Sequence, residues 1–271
     1  MSRPEFSIII TYYNNGHKNN YLNLVLWGLS RQTCKSFELI LIDNNSPIPL
    51  IVKNQDLARV KIHRMNYNYG QCTARNLGAE LASGKRIIFN DGDHVYSNNF
   101  LETHKNANPD IFITLFCGRD PKKRFVVPFN KVTDMIRHYE INPITDNDLL
   151  HYKKKVGHFL NTIPIGSSYN RKVFLQHKYD TSFDFGDKEK GKGWEDIDLG
   201  LRLYKSGASF GGSRKAFSIH IHHHFFGVAP SPLSEKEKGK INWVKLERKH
   251  PDIKELTGEW YDYTYQALYK L

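Results

Sequence analysis

Continuous apolar runs alternate with amphipathic stretches along the first hundred residues. FSIIIT, from Phe6 to Thr11, is a short apolar run that ends in the polar YYNN. Beyond it Leu22, Leu26 and Leu29 recur near the helical period, which predicts a helix reaching about Gln32. FELILID predicts a second buried strand that ends at Asp43 and is broken by Pro47. VKIHRM is a third strand candidate, leading into the loop NYNYG. A helix follows from about Cys72 to Ala82, with Ala74, Leu77 and Leu81 on its inner face, and SGK closes it. The fourth strand lies in RIIFNDGD and runs straight into two carboxylates, Asp91 and Asp93.

Strands alternating with helices, and strand runs apolar throughout, predict an α/β fold with a central, mostly parallel sheet covered by helices on both faces. In such sheets ligands bind beyond the carboxyl ends of the strands. Four polar clusters fall there: Tyr12 to Asn15, Asp43 to Ser46, Asn66 to Gly70, and Asp91 to Asp93. Their convergence on one rim says more than any single cluster.

After residue 100 the pattern loosens. IFITLFCG reads as a strand, and residues 119 to 160 are polar and basic with weak periodicity. GKGWEDIDLGLRLYKSGASF predicts a glycine-rich loop entering a helix, with Ile197, Leu201 and Tyr204 inward and a stop at Gly207. FSIHIHHHF alternates as a strand does, and residues 235 to 271 suggest one or two helices carrying Trp243 and Trp260.

Composition narrows the class. The chain has 271 residues, 39% of them hydrophobic, enough for one sizeable core with a small appendage. A net charge of +11 favours an anionic partner without choosing among nucleic acid, a phosphorylated small molecule and an acidic membrane face. The excess is uneven: residues 151 to 178 hold Lys153, Lys154, Lys155, Arg171, Lys172 and Lys178 and no acid. Three widely spaced cysteines argue against a disulfide framework or zinc knuckle and fit a reducing cytosol. No signal peptide precedes the first strand, and no run approaches the length of a membrane span. The expected location is cytoplasmic, with the inner membrane face as a peripheral contact.

Three constellations carry chemistry. Asp91 and Asp93, one residue apart, would share a face of extended chain and repel unless a cation joins them. A hard divalent ion that keeps substrate phosphates as further ligands is the natural solution, and Gly92 lets a ligand approach the backbone. A solvated DGD turn is the plain alternative. In GWEDID, Trp194 and a glycine loop lead into Glu195, Asp196 and Asp198. A carboxylate beside an acceptor hydroxyl can serve as general base, with capping of the helix as the alternative, and a tryptophan offers a flat face to a sugar. In HIHHH, His220, His222 and His224 share one strand face as candidate metal ligands, or form a polar edge. Asp43 and its asparagines suit a base or ribose, or an ordinary turn. Arg75 lies early on a helix whose N-terminus, after Gly70, is placed to face an anion, with a plain surface arginine as the alternative.

Taken together and in order, SIIITYYNN, ELILIDNNS, NYNYGQCTARNLGAELASGKRIIFNDGD and GWEDIDLGLRLYKSGASF resemble a family 2 glycosyltransferase of the GT-A fold over roughly residues 6 to 225. The Trp-Glu-Asp stretch is also similar to the acceptor motif of the chondroitin-polymerase and β-1,4-galactosyltransferase type. The resemblance implies inverting transfer from a nucleotide-diphosphate sugar, UDP-linked by expectation, to a glycan or lipid-linked saccharide. It implies a GT-A domain over 1–230, with a nucleotide-sugar half to residue 100 and an acceptor half beyond, and a helical extension over 231–271.

Residue by residue, the resemblance implies nucleotide-sugar contacts at Thr11, Tyr12, Asn14, Asp43, Asn68, Gly70, Arg75, Asp91, Gly92 and Asp93. It implies Mn²⁺ or Mg²⁺ at Asp93, with His220 or His222 and with Asp91 as a further candidate. Asp196 matches the base, Glu195 its acceptor-binding neighbour, and Trp194 an acceptor platform. IDNNS replaces the commoner VDDGS, so one acidic nucleotide contact is missing. The basic stretch and the aromatic tail offer places for a lipid-linked acceptor or an acidic membrane. A basic nucleic-acid-binding module with stacking aromatics is the alternative function; it leaves the acidic clusters, which would repel a phosphate backbone, unexplained. A dinucleotide oxidoreductase ranks last because the first turn lacks G-x-G-x-x-G.

Overall fold

The computed structural model describes residues 3–13, 21–48, 50, 52, 57, 59–117, 166–184, 191–221 and 233–269. Strand β1 (Phe6–Tyr12) leads to α1 (Leu22–Ser30), β2 (Phe37–Asp43), β3 (Val60–Arg64), α2 (Gln71–Leu81) and β4 (Arg86–Asn90). Then come β5 (His94–Tyr96), α3 (Phe100–Lys105), β6 (Ile111–Cys117), β7 (Ser167–Asn170) and α4 (Arg171–His177). A 3₁₀ turn (Thr181–Phe183), α5 (Glu195–Lys205) and β8 (Phe210–His220) precede the C-terminal helices α6 (Glu235–Lys249), α7 (Ile253–Thr257) and α8 (Glu259–Tyr269).

One sheet has the order β3-β2-β1-β4-β7-β6-β8-β5. The first four strands are parallel, as expected, while β7 runs antiparallel to both β4 and β6. Side chains alternate between two cores. Phe6, Ile8 and Ile10 pack with α1 and α3 residues such as Leu26 and Phe100. Ile9, with Ile40, Ile42, Ile87 and Phe89, packs on the opposite face with α2, α4, α5 and Trp243 of α6. Each fully buried Ile or Phe stabilises the fold by roughly 1.5–3 kcal/mol, so an uninterrupted apolar strand is what a two-sided core requires.

Two helical faces differ from the expectation. Leu81 is 40% exposed and Tyr204 is 46% exposed. Ala74 and Leu77 face the core as expected, joined on the inner face of α2 by Cys72, Arg75, Gly78 and Ala79. That of α5 includes Glu195 and Asp198 beside Leu199, Leu201 and Leu203. In both helices a buried charge occupies the position an apolar stripe would claim, because ion pairs described below compensate it. Strand β3 is an edge strand, exposed over Lys61 to Arg64, and the short β5 and β7 escape hydrophobic periodicity altogether.

The parallel register aligns the strand ends. Tyr12 lies opposite Asp43, and Ile10 lies opposite Asn90, so the segments after β1, β2 and β4 emerge on one rim. At the other end of the strands Glu38 is buried and accepts from Ser7 Oγ at 2.7 Å, Ser83 N at 2.6 Å, Ser83 Oγ at 2.7 Å and Lys61 Nζ at 2.8 Å. Burial raises the carboxyl's proton affinity, but these donors outweigh it and hold the group down to about 2. A depressed folded pKa gives stability that is present above the unfolded value and lost as pH falls through the folded one. The substitution E38Q should cost about 1–3 kcal/mol at neutral pH in urea unfolding. That difference from the parent should shrink as pH falls from the ordinary carboxylate range towards 2.

Candidate active site

The four rim clusters meet as expected where described; Asn14 and His222 lie outside the described residues. Thr11 and Tyr12 end β1, both partly exposed, and burial followed by the Asp43 charge raises the Tyr12 hydroxyl's pKa. Asp43 is buried at the end of β2. Its Oδ1 accepts from Ser46 N at 2.8 Å and its Oδ2 accepts from Arg64 Nη1 at 2.8 Å. Both oxygens therefore fold the 43–46 turn and fix β3, and any nucleoside contact shares a carboxylate already in use.

Asn44 ties that turn to the next loop. Its Nδ2 donates to Asn68 Oδ1 at 2.8 Å and to Gly70 O at 3.1 Å, and its Oδ1 accepts from Tyr69 N at 3.2 Å. An aspartate there would lack the amide donor, which accounts physically for asparagine at this place in IDNNS. Gly70 has φ of +104°, and a Cβ on it would stand 2.5 Å from the Asp184 carboxylate.

Asp184 alters the reading of the α2 N-terminus. Its Oδ1 accepts from Cys72 N at 2.5 Å, while Oδ2 accepts from Thr73 N at 3.0 Å and Thr73 Oγ1 at 2.6 Å. The helix end faces an anion, as its position suggested, but the anion is the protein's own carboxylate. Nothing in FDFGD marks this residue as a cap for a helix that begins over a hundred positions earlier.

Arg75 sits within this rim with its side chain 2% exposed. Its Nη2 donates to Asp91 Oδ1 at 2.8 Å, its Nη1 lies 3.5 Å from Glu195 Oε1, and its guanidinium stands over the Tyr179 ring at 5.2 Å. Gln71 Nε2 also donates to Asp91 Oδ1 at 2.8 Å. Arg75 is thus one buried cation between the loop after β4 and the start of α5. Burial opposes its charge, but the surrounding anions, Asp91 first, raise its proton affinity well above the usual.

The two aspartates of DGD take different partners. Gly92 has φ of +83°, outside the extended region, so the equal facing expected of an extended chain is broken between them. Asp91 turns to Arg75 and Gln71. Asp93 Oδ1 is 3.1 Å from His94 Nε2, and Oδ2 is 3.3 Å from His220 Nε2. The two imidazoles stack with centroids 4.4 Å apart and planes 8° from parallel, because His94 and His220 are paired across the β5–β8 ladder.

Asp93, His94 and His220 each offer a ligand atom within 4.8 Å of the others, a donor set that suits a divalent cation. His94 is the candidate ligand that sequence reasoning missed, although it directly follows the second aspartate. Asp91 is not in this group.

Glu195 and Asp196 open α5, where the helix N-terminus favours negative charge. Burial, and then the Asp196 charge, pushes the Glu195 carboxyl up, against the pull of Arg75. Burial also raises Asp196, again opposed by Arg75. Asp198 is different. It is fully buried and bound to Arg202 at 2.8 Å, Lys249 at 2.6 Å and His250 at 3.0 Å. These partners overcome desolvation and hold it below the usual range, which makes it a structural acid. Trp194, partly buried, donates from Nε1 to Gly239 O at 2.9 Å and meets Trp243 edge-on at 4.9 Å.

Residues 7–174 match the model of glycosyl transferase family 2. This chain belongs to that family. Two relatives from Haemophilus influenzae, both named uncharacterized glycosyltransferases, are 36% identical over 110 residues and 30% identical over 90. Those matches cover 39% and 33% of this glycosyltransferase-family chain, and span 43% and 30% of the relatives' own lengths. Bacillus subtilis YfnE, another uncharacterized glycosyltransferase, is 24% identical over 92% of this chain and 71% of its own. S. aureus TarS 1-349 in complex with UDP-GlcNAc superposes with a TM-score of 0.54 at 14% identity, covering 94% of this chain and 76% of TarS. The complex with UDP gives 0.53 at 15% identity, covering 91% and 72%. At such identities the likeness establishes the fold, which is the GT-A fold expected from the sequence. Among the described residues no helix of this family member is long and apolar enough to cross a membrane.

The separation of Asp93 from Asp91 can be tested by titrating the protein with Mn²⁺ in a calorimeter. The substitutions D93A, H94A and H220A should each weaken binding by roughly tenfold or more, the scale on which changes around metal sites act. D91A should leave Mn²⁺ affinity nearly unchanged.

Proposed function

We propose that this protein transfers a sugar from a UDP-linked donor to an acceptor hydroxyl with inversion at the anomeric carbon, and that Asp196 is the general base. One observation carries the reading: Arg75 joins Asp91 of the post-β4 loop to Glu195, the neighbour of Asp196 at the start of α5. A donor side and an acceptor side are thereby held against one buried cation. Family membership and the UDP and UDP-GlcNAc complexes of TarS support the donor class. The acceptor class is a glycan or lipid-linked saccharide.

The rim loops ending β1 and β2, with Thr11, Tyr12 and Asp43, would hold the nucleoside, and Asn68, Gly70 and Gly92 would line its path to the diphosphate. Asp93, His94 and His220 would hold a divalent ion, and two imidazoles favour Mn²⁺ over Mg²⁺, which prefers oxygen ligands. When bound, such an ion supplies positive charge for the departing diphosphate. Asp196 accepts the proton from the acceptor hydroxyl as that oxygen attacks the anomeric carbon from the face opposite the diphosphate. The new carbon–oxygen bond forms as the bond to the diphosphate breaks. Glu195 and the Trp194 ring would bind the acceptor.

Burial makes Asp196 a stronger base than an exposed aspartate, and Arg75 keeps an ionised form accessible. The acid limb of the kcat–pH profile should therefore lie above the ordinary carboxylate range near 4. The decisive experiment incubates the protein with Mn²⁺, a panel of nucleotide sugars and saccharide acceptors, and scores release of nucleotide diphosphate. D196N should lower kcat by roughly 10²–10⁴-fold, the contribution of a positioned base, while leaving UDP affinity unchanged. Full activity in D196N would reassign the base, and no turnover with any donor would overturn the reading.

A further inference from the structure

Helix α6 lies beyond the residues matched by the family, yet it bonds repeatedly to the turn that presents Asp196. Lys192 N donates to Lys238 O at 2.9 Å. Asn242 Nδ2 donates to Gly193 O at 3.1 Å and to Phe183 O at 3.4 Å. Trp194 Nε1 donates to Gly239 O, and one turn further into α5 Asp198 binds Lys249 and His250. Asn242 is itself buried, 1% exposed, and a Cβ on Gly191 would collide with its side chain. The contacts therefore bracket Glu195 and Asp196 from both sides.

The turn needs such support. Gly193 and Trp194 are consecutive left-handed residues, with φ of +76° and +73°. For tryptophan this conformation is unfavourable, and it persists only where neighbours over-determine it. The two residues immediately precede Glu195, so relaxing either dihedral would swing the carboxylates that follow. Asn242 holds the Gly193 carbonyl, and Gly239 anchors the Trp194 ring.

We propose that α6 is a brace for the acid turn and that Asn242 is its positioning residue, setting Asp196 relative to the donor side. The proposal rests on the reading of Asp196 as general base. Asn242 touches no reacting atom and acts through the Gly193 carbonyl. A brace of this kind changes the chemical step more than donor binding, because the Asn242 amide bonds to the Gly193 and Phe183 carbonyls and not to the strand ends that carry Thr11, Tyr12 and Asp43.

The test uses N242A and N242L in the full chain. Amide hydrogen exchange of residues 193–197 should accelerate at least tenfold, with UDP affinity unchanged. In transfer assays kcat should fall by roughly tenfold to a hundredfold, the scale of a misplaced reacting group, while the donor KM stays the same. If neither variant folds, W194F removes the bond to Gly239 while keeping a ring, and carries the same expectations. Wild-type protein inactive towards every donor would sink the base assignment, and the exchange measurement would still decide the brace. Unchanged exchange in a folded variant, or unchanged kcat beside an active wild type, would overturn it.

Discussion

A single buried guanidinium organises this molecule's rim. Arg75 is removed from water, which is tolerable for a charge only when partners compensate it closely. Its partners come from two loops far apart in sequence, Asp91 after β4 and Glu195 at the head of α5. Without the arginine, burial and mutual repulsion would drive protons onto Glu195 and Asp196 or push the carboxylates apart. Without the carboxylates, α2 would carry an uncompensated charge into the core. The two sides of the candidate site are therefore joined by an electrostatic requirement of the fold, and α2 can present Arg75 there because Ala74, Gly78 and Ala79 let the helix lie close to the sheet.

The same logic extends to the C-terminal helices. Asp198 is as deeply buried as any of the described residues, and its compensation comes from Arg202, one turn along α5, and from Lys249 and His250 at the end of α6. Trp243, Leu246 and Ile253 belong to the same core cluster as Ile9 and Phe89. This helical segment is an integral wall of the fold. Its ion pairs, hydrogen bonds and apolar contacts converge on the one turn whose left-handed residues could not hold themselves.

The sheet and the rim were legible because they follow from period and polarity. The central residues of FSIIIT, FELILID and RIIFN form unbroken apolar runs, which only a strand covered on two faces explains well, and the polar residues after each run mark its carboxyl end. The inner faces of α2 and α5 were less legible, since Arg75, Glu195 and Asp198 are buried by virtue of partners that no local pattern reveals. Asp184 was invisible for the same reason: it caps a helix that precedes it by more than a hundred residues. His94 was visible but overshadowed by the HIHHH run. Its place beside His220 emerges only from the β5–β8 register. Sequence pattern reports local period, whereas these residues are defined by long-range compensation of charge.

That distinction separates the acids of the rim by kind. Asp43 closes a turn and meets Arg64, Asp184 caps α2, Asp91 meets Arg75 and Gln71, and Asp198 meets three basic side chains. In each case a fixed cation or backbone donors answer the charge, and the acid is part of the architecture even where a ligand also uses it. Asp93 is answered by two imidazoles, His94 and His220, whose charge depends on pH and whose nitrogens serve a metal ion as readily as a carboxylate. The Asp93 cluster, and not the DGD pair as a unit, is therefore the candidate donor set for a divalent cation.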